Sequence, residues 1–373
     1  MQIGVLGAGM VGRTIAIDLA ATYNVTAIDI SEHSLQLLTQ KNDAIKTIKA
    51  NLSDCDNYNK LLSGFDFIVC AVPGFMGYKT LEAVIRSKKN VVDISFFPED
   101  PLQLDVLAKE NEVCAIVDCG VAPGMSNLVL GYYNERMTVT HFECLVGGLP
   151  KIRVRPFEYK APFSPIDVLE EYTRPARYIE NGFIVTRPAL TDADLIDFER
   201  VGTLEAFNTD GLRSLLRTMS HIPNMIEKTL RYPGHIDLIK ALLKAGFLDD
   251  KPVSFKGLQI SPREFSSALF FDQWKLGENE EEFTLMRIII KGTANGMPVA
   301  INYQLFDEYD TGTQTSSMSR TTGYTATAAI NMLIKNLFTA KGVFPPELVG
   351  KDENCFNFIL NYLKERGVIY VKK

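Results

Sequence analysis

An apolar run at residues 3–6 passes directly into Gly7-Ala8-Gly9-Met10-Val11-Gly12, and this junction constrains the fold more than any other stretch of the chain. Val11, Ile15 and Leu19 then recur at i, i+4 spacing, which predicts a helix. A G-x-G-x-x-G turn between a strand and a helix is a dinucleotide-binding fingerprint. Gly7 permits the tight turn, Gly9 lets a pyrophosphate approach the backbone, and Gly12 lets helix and strand pack closely. The phosphates would sit on free N–H groups at the helix N-terminus. The whole stretch Gly7, Ala8, Gly9, Met10, Val11, Gly12 is therefore assigned to cofactor binding. A second strand, Val25-Thr26-Ala27-Ile28-Asp29, ends in an acid 17 residues after Gly12. A carboxylate there hydrogen-bonds a ribose 2′-OH and repels a 2′-phosphate, so the expected cofactor is NAD.

The pattern continues to about residue 120. Ser31 can cap a helix through Leu35 and Leu38, and a third strand is predicted at 44–50. Apolar runs at 65–72, 90–95 and 113–117 predict further strands, the first stopped by Pro73-Gly74. Near-continuous apolar strands between helical patterns imply an α/β fold with a parallel sheet covered on both faces. Ligands bind outside the carboxyl ends of such strands. Val72 and Pro73 join the cofactor set on that ground. Asp93 and Asp118 fall at the same ends and either cap their loops or face a ligand.

Length and charge narrow the class. A chain of 373 residues suggests two domains. The net charge is −6 and no basic stripe is present, which argues against nucleic acid. No apolar run reaches the roughly 18 residues of a membrane helix. Met1 abuts the first strand, so no cleavable leader is expected and the expected location is cytoplasmic. The six cysteines form no C-x-x-C pair, and Cys70, Cys114 and Cys144 sit in apolar runs as expected for reduced core thiols. His33, His141, His221 and His235 lack ligand spacing, so no metal is expected.

Beyond Asp118-Cys119-Gly120-Val121-Ala122-Pro123-Gly124 the pattern changes. A helix is predicted at 128–136, a strand at 141–146, and a helix start at Ser164-Pro165. Asn181-Gly182 and Asn295-Gly296 each join two apolar stretches as hairpin turns do. The middle of the chain thus reads as a second, α+β domain on a mostly antiparallel sheet. Arg320-Thr321-Thr322-Gly323-Tyr324 then opens a long helix pattern over 326–338, apolar enough to be buried on more than one face.

In order along the chain, these stretches resemble the saccharopine dehydrogenase family, and most closely its lysine 6-dehydrogenase branch. Besides the glycine loop, the resemblance rests on Gly147-Gly148-Leu149-Pro150, Tyr159-Lys160, Ser164-Pro165 and the run from Glu205 through Asn208-Thr209-Asp210-Gly211 to Arg213. It continues in Thr229-Leu230-Arg231-Tyr232-Pro233-Gly234-His235, in Arg320-Thr321-Thr322-Gly323-Tyr324 and in Gly342-Val343-Phe344-Pro345-Pro346-Glu347. It implies a discontinuous Rossmann domain, 1–125 plus 320–373, around a substrate and dimerisation domain at 126–319. It also implies hydride transfer from a carbon bearing an amine to a nicotinamide, then imine hydrolysis. Saccharopine-cleaving members carry Leu-Asp-Pro-Gly-x-Asp-His at the hinge, where this chain has Val121-Ala122-Pro123-Gly124-Met125-Ser126-Asn127. They also read Tyr-Lys-Phe-Ser-Trp-Ser where it has Tyr159-Lys160-Ala161-Pro162-Phe163-Ser164. Both departures weaken the case for a pocket built for a tricarboxylate.

Oxidising a C–N bond needs a neutral amine and a base. An amino-acid carboxylate needs a cation, for which Arg231 is the first choice, with Thr229 as a hydroxyl donor. Lys160, His235 and Asp118 are the candidate proton carriers, and the sequence does not choose among them. The expected function is NAD-dependent oxidative deamination of L-lysine or a close diamino acid, by a homodimer. The alternatives are oxidation of a secondary amine (saccharopine, carboxynorspermidine or a similar condensate) and a non-catalytic nucleotide sensor.

Overall fold

The computed structural model describes residues 1–373. Seven parallel strands form one sheet in the spatial order Gly342–Phe344, Cys114–Ile116, Asn90–Asp93, Phe67–Cys70, Gln2–Leu6, Asn24–Asp29, Lys46–Lys49. The chain order reverses beside Gln2–Leu6, and the crevice there, at the carboxyl ends, is where this architecture places a ligand. The strands predicted at 44–50, 65–72, 90–95 and 113–117 are all present, shortened to their paired residues. Lys46–Lys49 is fully exposed, and its two lysines suit an edge that must not pair with another chain. Ser31 caps the helix Glu32–Lys41 by accepting from the Ser34 N–H.

The second sheet has nine strands. Its main path runs Asp194–Phe198, Gly202–Asn208, Met225–Arg231, Thr138–Pro150, Glu282–Ala294, Met297–Glu308, Tyr370–Lys372. Every neighbouring pair is antiparallel except Met225–Arg231 against Thr138–Pro150. Both Asn-Gly pairs are hairpin turns with positive φ at both residues: 51° and 83° at Asn181-Gly182, 52° and 77° at Asn295-Gly296.

Three local expectations need correction. The long helix is Ser317–Ile334, so Arg320-Thr321-Thr322-Gly323-Tyr324 lies inside it. Ser316 caps it by accepting from the Ser319 N–H, and the Thr321 and Thr325 hydroxyls bond back to the Ser317 and Thr321 carbonyls. Such back-bonding lets threonines sit mid-helix without an open hydroxyl. Ser164 occupies the cap position of Pro165–Thr173 but makes no capping bond. The C-terminus does not end with the parallel sheet, because Tyr370–Lys372 pairs with Met297–Glu308. Residues 320–373 therefore serve both sheets: Gly342–Phe344 extends the first and Tyr370–Lys372 the second.

The helix Ser317–Ile334 is buried on nearly every face, packed against Met10–Ala20, Glu353–Glu365 and strands of both sheets. One apolar core of 53 residues runs through it, from Ile3, Val5 and Ile15 to Phe142, Val146 and Ile288. The two sheets therefore share their packing. All six cysteines are unpaired, and five are buried.

Candidate active site

A cavity of about 630 Å³ lies between the sheets. It runs from Gly7, Gly9, Met10, Val11, Gly12 and Asp29 past Val72, Pro73 and Asp118 to Thr209, Gly211, Glu227, Thr229 and Arg231.

The glycine loop fits a dinucleotide. Gly7 has φ 98°, and a Cβ there would fall 2.3 Å from the Ala71 carbonyl oxygen. A Cβ on Gly12 would fall 2.1 Å from the Gly7 carbonyl oxygen, so the close helix–strand approach is real. A Cβ on Gly9 would meet nothing within 4 Å, which leaves the open backbone that a pyrophosphate needs. The first N–H groups of Met10–Ala20 face that space without intrahelical partners. Ala8 is the one residue of the glycine loop that does not line the cavity. It is fully buried, and its N–H donates to Asp29 Oδ2 at 2.7 Å, so it has no amide to offer a phosphate. The other Asp29 oxygen accepts from the Ser31 N–H. Asp29 therefore fixes the loop while its carboxylate still lines the cavity. Bound there, a nicotinamide dinucleotide would supply a hydride acceptor.

The other end is charged. On the strand Met225–Arg231, alternation sends Glu227, Thr229 and Arg231 to the cavity. Thr229 shares a hydroxyl hydrogen bond of 2.9 Å with Thr209. Arg231 is buried and already engaged. It donates to Glu171 Oε2 at 2.6 Å, to the Tyr172 hydroxyl at 3.1 Å and to the Tyr159 hydroxyl at 3.3 Å. Tyr159 also stacks its ring against the guanidinium, 4.2 Å from its centre. The first-choice substrate anchor thus has an internal carboxylate as its partner. Arg174 and Lys275 are the other cations lining the cavity.

Asp118 also lines the cavity, with a left-handed φ of 52° that a short polar residue tolerates. Its Oδ1 accepts from Arg213 Nε at 2.8 Å, and its Oδ2 is buried without a partner. Behind it, burial pushes the Asp93 carboxyl up to about 8 despite two bonds from Ser95.

Two expected proton carriers are displaced. Lys160 does not reach the cavity, although Tyr159 and Ala161 on either side do. Its Nζ lies near Glu280 and the Lys275 carbonyl, because the extended chain turns alternate side chains opposite ways. His235 lies outside the cavity wall and is buried. Its Nδ1 is 2.9 Å from the Phe157 carbonyl and its Nε2 is 2.9 Å from the Tyr172 hydroxyl. Burial, and then the Arg231 charge, depress it to about 3, so it is neutral at physiological pH. A neutral ring that donates from Nδ1 to Phe157 accepts from Tyr172 at Nε2. His235 thus positions Tyr172, which in turn holds Arg231.

Sequence reasoning missed Glu227. The signal was available: two residues before Thr229 and four before Arg231 in a strand, it must share their face. It also missed Glu171 and Arg174, on or just after the helix Pro165–Thr173 and linked to the strand by no local periodicity.

Residues 3–116 match the saccharopine dehydrogenase NADP binding domain, and residues 120–368 match the saccharopine dehydrogenase C-terminal domain. The saccharopine dehydrogenase (NADP+, L-glutamate-forming) of Saccharomyces cerevisiae is 26% identical over 66% of this chain and 58% of its own length. The mitochondrial alpha-aminoadipic semialdehyde synthase of Rattus norvegicus is 24% identical over 66% of this chain and 28% of its own length. The chain thus spans less than two thirds of either relative. The carboxyaminopropylagmatine dehydrogenase of Synechocystis is 22% identical over 94% of this chain and 93% of its own length. The apo structure of the yeast L-glutamate-forming saccharopine dehydrogenase superposes over 100% of this chain and 99% of its own, with a TM-score of 0.79 at 20% identity, which is a likeness of fold.

Proposed function

The chain belongs to the saccharopine dehydrogenase family, and on that premise we propose that it oxidises the amine-bearing carbon of L-lysine or a close diamino acid, with NAD as hydride acceptor and release of ammonia. The observation that carries the reading is the charge of the cavity. Acidic side chains lining it outnumber basic ones three to one. Such a lining favours a ligand with more than one amine, and Arg174 and Lys275, beside the internally paired Arg231, leave a place for one carboxylate. A tricarboxylate would find few cations on the wall, and Arg231 among them is already paired with Glu171. NAD is preferred because Asp29 lines the cavity at the end of the second parallel strand, where a carboxylate would repel a 2′-phosphate.

A second reading has its own support. The Synechocystis relative, matched nearly end to end, is named for a carboxylated polyamine derivative, and an acidic cavity suits that class as well. The product separates the two: ammonia from a primary amine, a second amine from a secondary one. The deciding experiment is a panel of L-lysine, saccharopine, carboxynorspermidine and carboxyaminopropylagmatine with NAD and NADP, scored by nicotinamide absorbance and ammonia release. Turnover of L-lysine with stoichiometric ammonia is the expected result. Release of glutamate or a diamine, with no lysine turnover, would replace the first reading by the second. Asp29→Ser should move the NAD-to-NADP affinity ratio toward NADP by about 1 kcal/mol or more; wild-type binding of NADP equal to that of NAD, by calorimetry, would refute the preference.

The homodimer belongs to the same proposal. Phe183, Ile184 and Leu195, on outer strands of the second sheet, are 75%, 59% and 66% exposed. Sedimentation at micromolar concentration tests it, and a monomer would remove it.

A further inference from the structure

The buried and partly buried carboxylates around the inner cavity are not equivalent. Asp118 is held by Arg213, Glu171 by Arg231, and Asp210 by two bonds of 2.8 Å from Arg177. Asp167 accepts from the Gly74 N–H. Glu227 alone has no hydrogen bond or ion pair to its carboxyl, although the residue is 5% exposed and faces the cavity. A buried acid without a partner is expensive, and it persists where the site uses it. The chain has also made room for it. A Cβ on Gly211 would lie 1.6 Å from Glu227 Oε1, so the carboxyl rests in a recess that only glycine leaves open.

We propose that Glu227 is the catalytic proton acceptor, taking a proton from the substrate ammonium in the recess beside Gly211. This rests on the amine-oxidising reading above and assigns a residue within it. In the step, an N–H bond of the substrate ammonium breaks and an O–H bond forms at Glu227. The bonding electron pair stays on nitrogen, which becomes the neutral amine that C–N oxidation requires. The groups facing Glu227 are Glu171 from the helix Pro165–Thr173, Asp210 and Arg213 from the loop after Gly202–Asn208, Asp118 from the end of the parallel sheet, and Cys144 from the neighbouring strand. Desolvation first, and then the charges of Glu171 and Asp210, push the Glu227 carboxyl up to about 8. An acid poised there exchanges protons with an amine more readily than a paired one. Asp118 is less suited, because its ion pair with Arg213 must weaken before it can accept a proton.

The test has one readout that needs no turnover and one that does. Free Glu227 is protonated near pH 7. An ammonium bound against it shares one proton with it, and the other leaves. Calorimetry of L-lysine binding to the dinucleotide-free protein at about pH 7, in phosphate and in Tris, should show release of about one proton per site. Glu227→Gln, which keeps shape and removes the charge, should abolish that release. In turnover, wild-type kcat/KM for L-lysine should rise with pH and level off above about 8, since the carboxylate is the active form. Glu227→Gln should lower kcat by about a hundredfold or more, with KM within a few fold and dinucleotide affinity unchanged. Absence of proton release from wild type on binding L-lysine or, where L-lysine gives no heat, the secondary amine that does, overturns the proposal. So does equal release from Glu227→Gln, or a kcat within threefold of wild type. Failure of the substrate assignment is a separate result: proton release present and Glu227-dependent, but no oxidation of lysine.

Discussion

Around the glycine loop the cavity is walled by main chain. Gly7 and Gly12 bring the Ala71 and Gly7 carbonyls to where a side chain would stand, and the recognition elements are amides at a helix start. Around Glu227 it is walled by side-chain charge, gathered from segments near residues 118, 171, 210, 227 and 231. The first region is rigid because backbone cannot yield, and its chemistry hardly depends on protonation. The second is held by acid–arginine pairs in a dry setting, so its geometry depends on which groups are charged. One region binds a constant ligand; the other manages protons.

The largest expected effect tests the charged half. Arg231→Ala removes a buried guanidinium and leaves the partly buried Glu171 without its partner, and should destabilise the fold by about 3–5 kcal/mol. Urea denaturation reads it, and the double variant Arg231→Ala with Glu171→Gln should recover part of the loss. A small loss in the single variant would mean that Arg231 is not an internal pair, and would return it to the role of substrate anchor. Next comes the backbone half. Gly12→Ala should cost about 1–3 kcal/mol of stability, because its Cβ meets a carbonyl that cannot move aside. Dinucleotide affinity should fall with it. Gly211→Ala sharpens the contrast, since its Cβ meets the end of a side chain that can turn away. It should lose activity with stability changed by less than about 1 kcal/mol. Equal stability losses from the two alanines would erase the distinction. The smallest effect is expected at Lys160, on neither wall: Lys160→Met should shift stability by no more than about 0.5 kcal/mol and leave kcat within twofold. A tenfold loss of kcat would put Lys160 back among the proton carriers.

The sequence by itself determined the glycine loop, the parallel strands that flank it, both Asn-Gly hairpins and the placement of Asp29, Val72, Pro73 and Asp118 on one ligand-bearing edge. These follow from local rules: side-chain period, turn chemistry, and the steric demand of a helix packed against a strand. Thr229 and Arg231 were also legible as a pair two residues apart, and the same period contains Glu227. Only the tertiary structure decided what each charge does. Arg231 faces Glu171 across 60 residues of sequence, Asp118 faces Arg213 across 95, and Glu227 rests beside Gly211. Those distances decide which carboxylate is paired and which is free. His235 looked suited to proton transfer by its ordinary pKa, yet burial and the nearby Arg231 keep it neutral. Ala8 belonged to the fingerprint, yet its amide is taken by Asp29. Sequence reports the type and local direction of a side chain, whereas its protonation and free valences depend on long-range neighbours and on the water that they exclude.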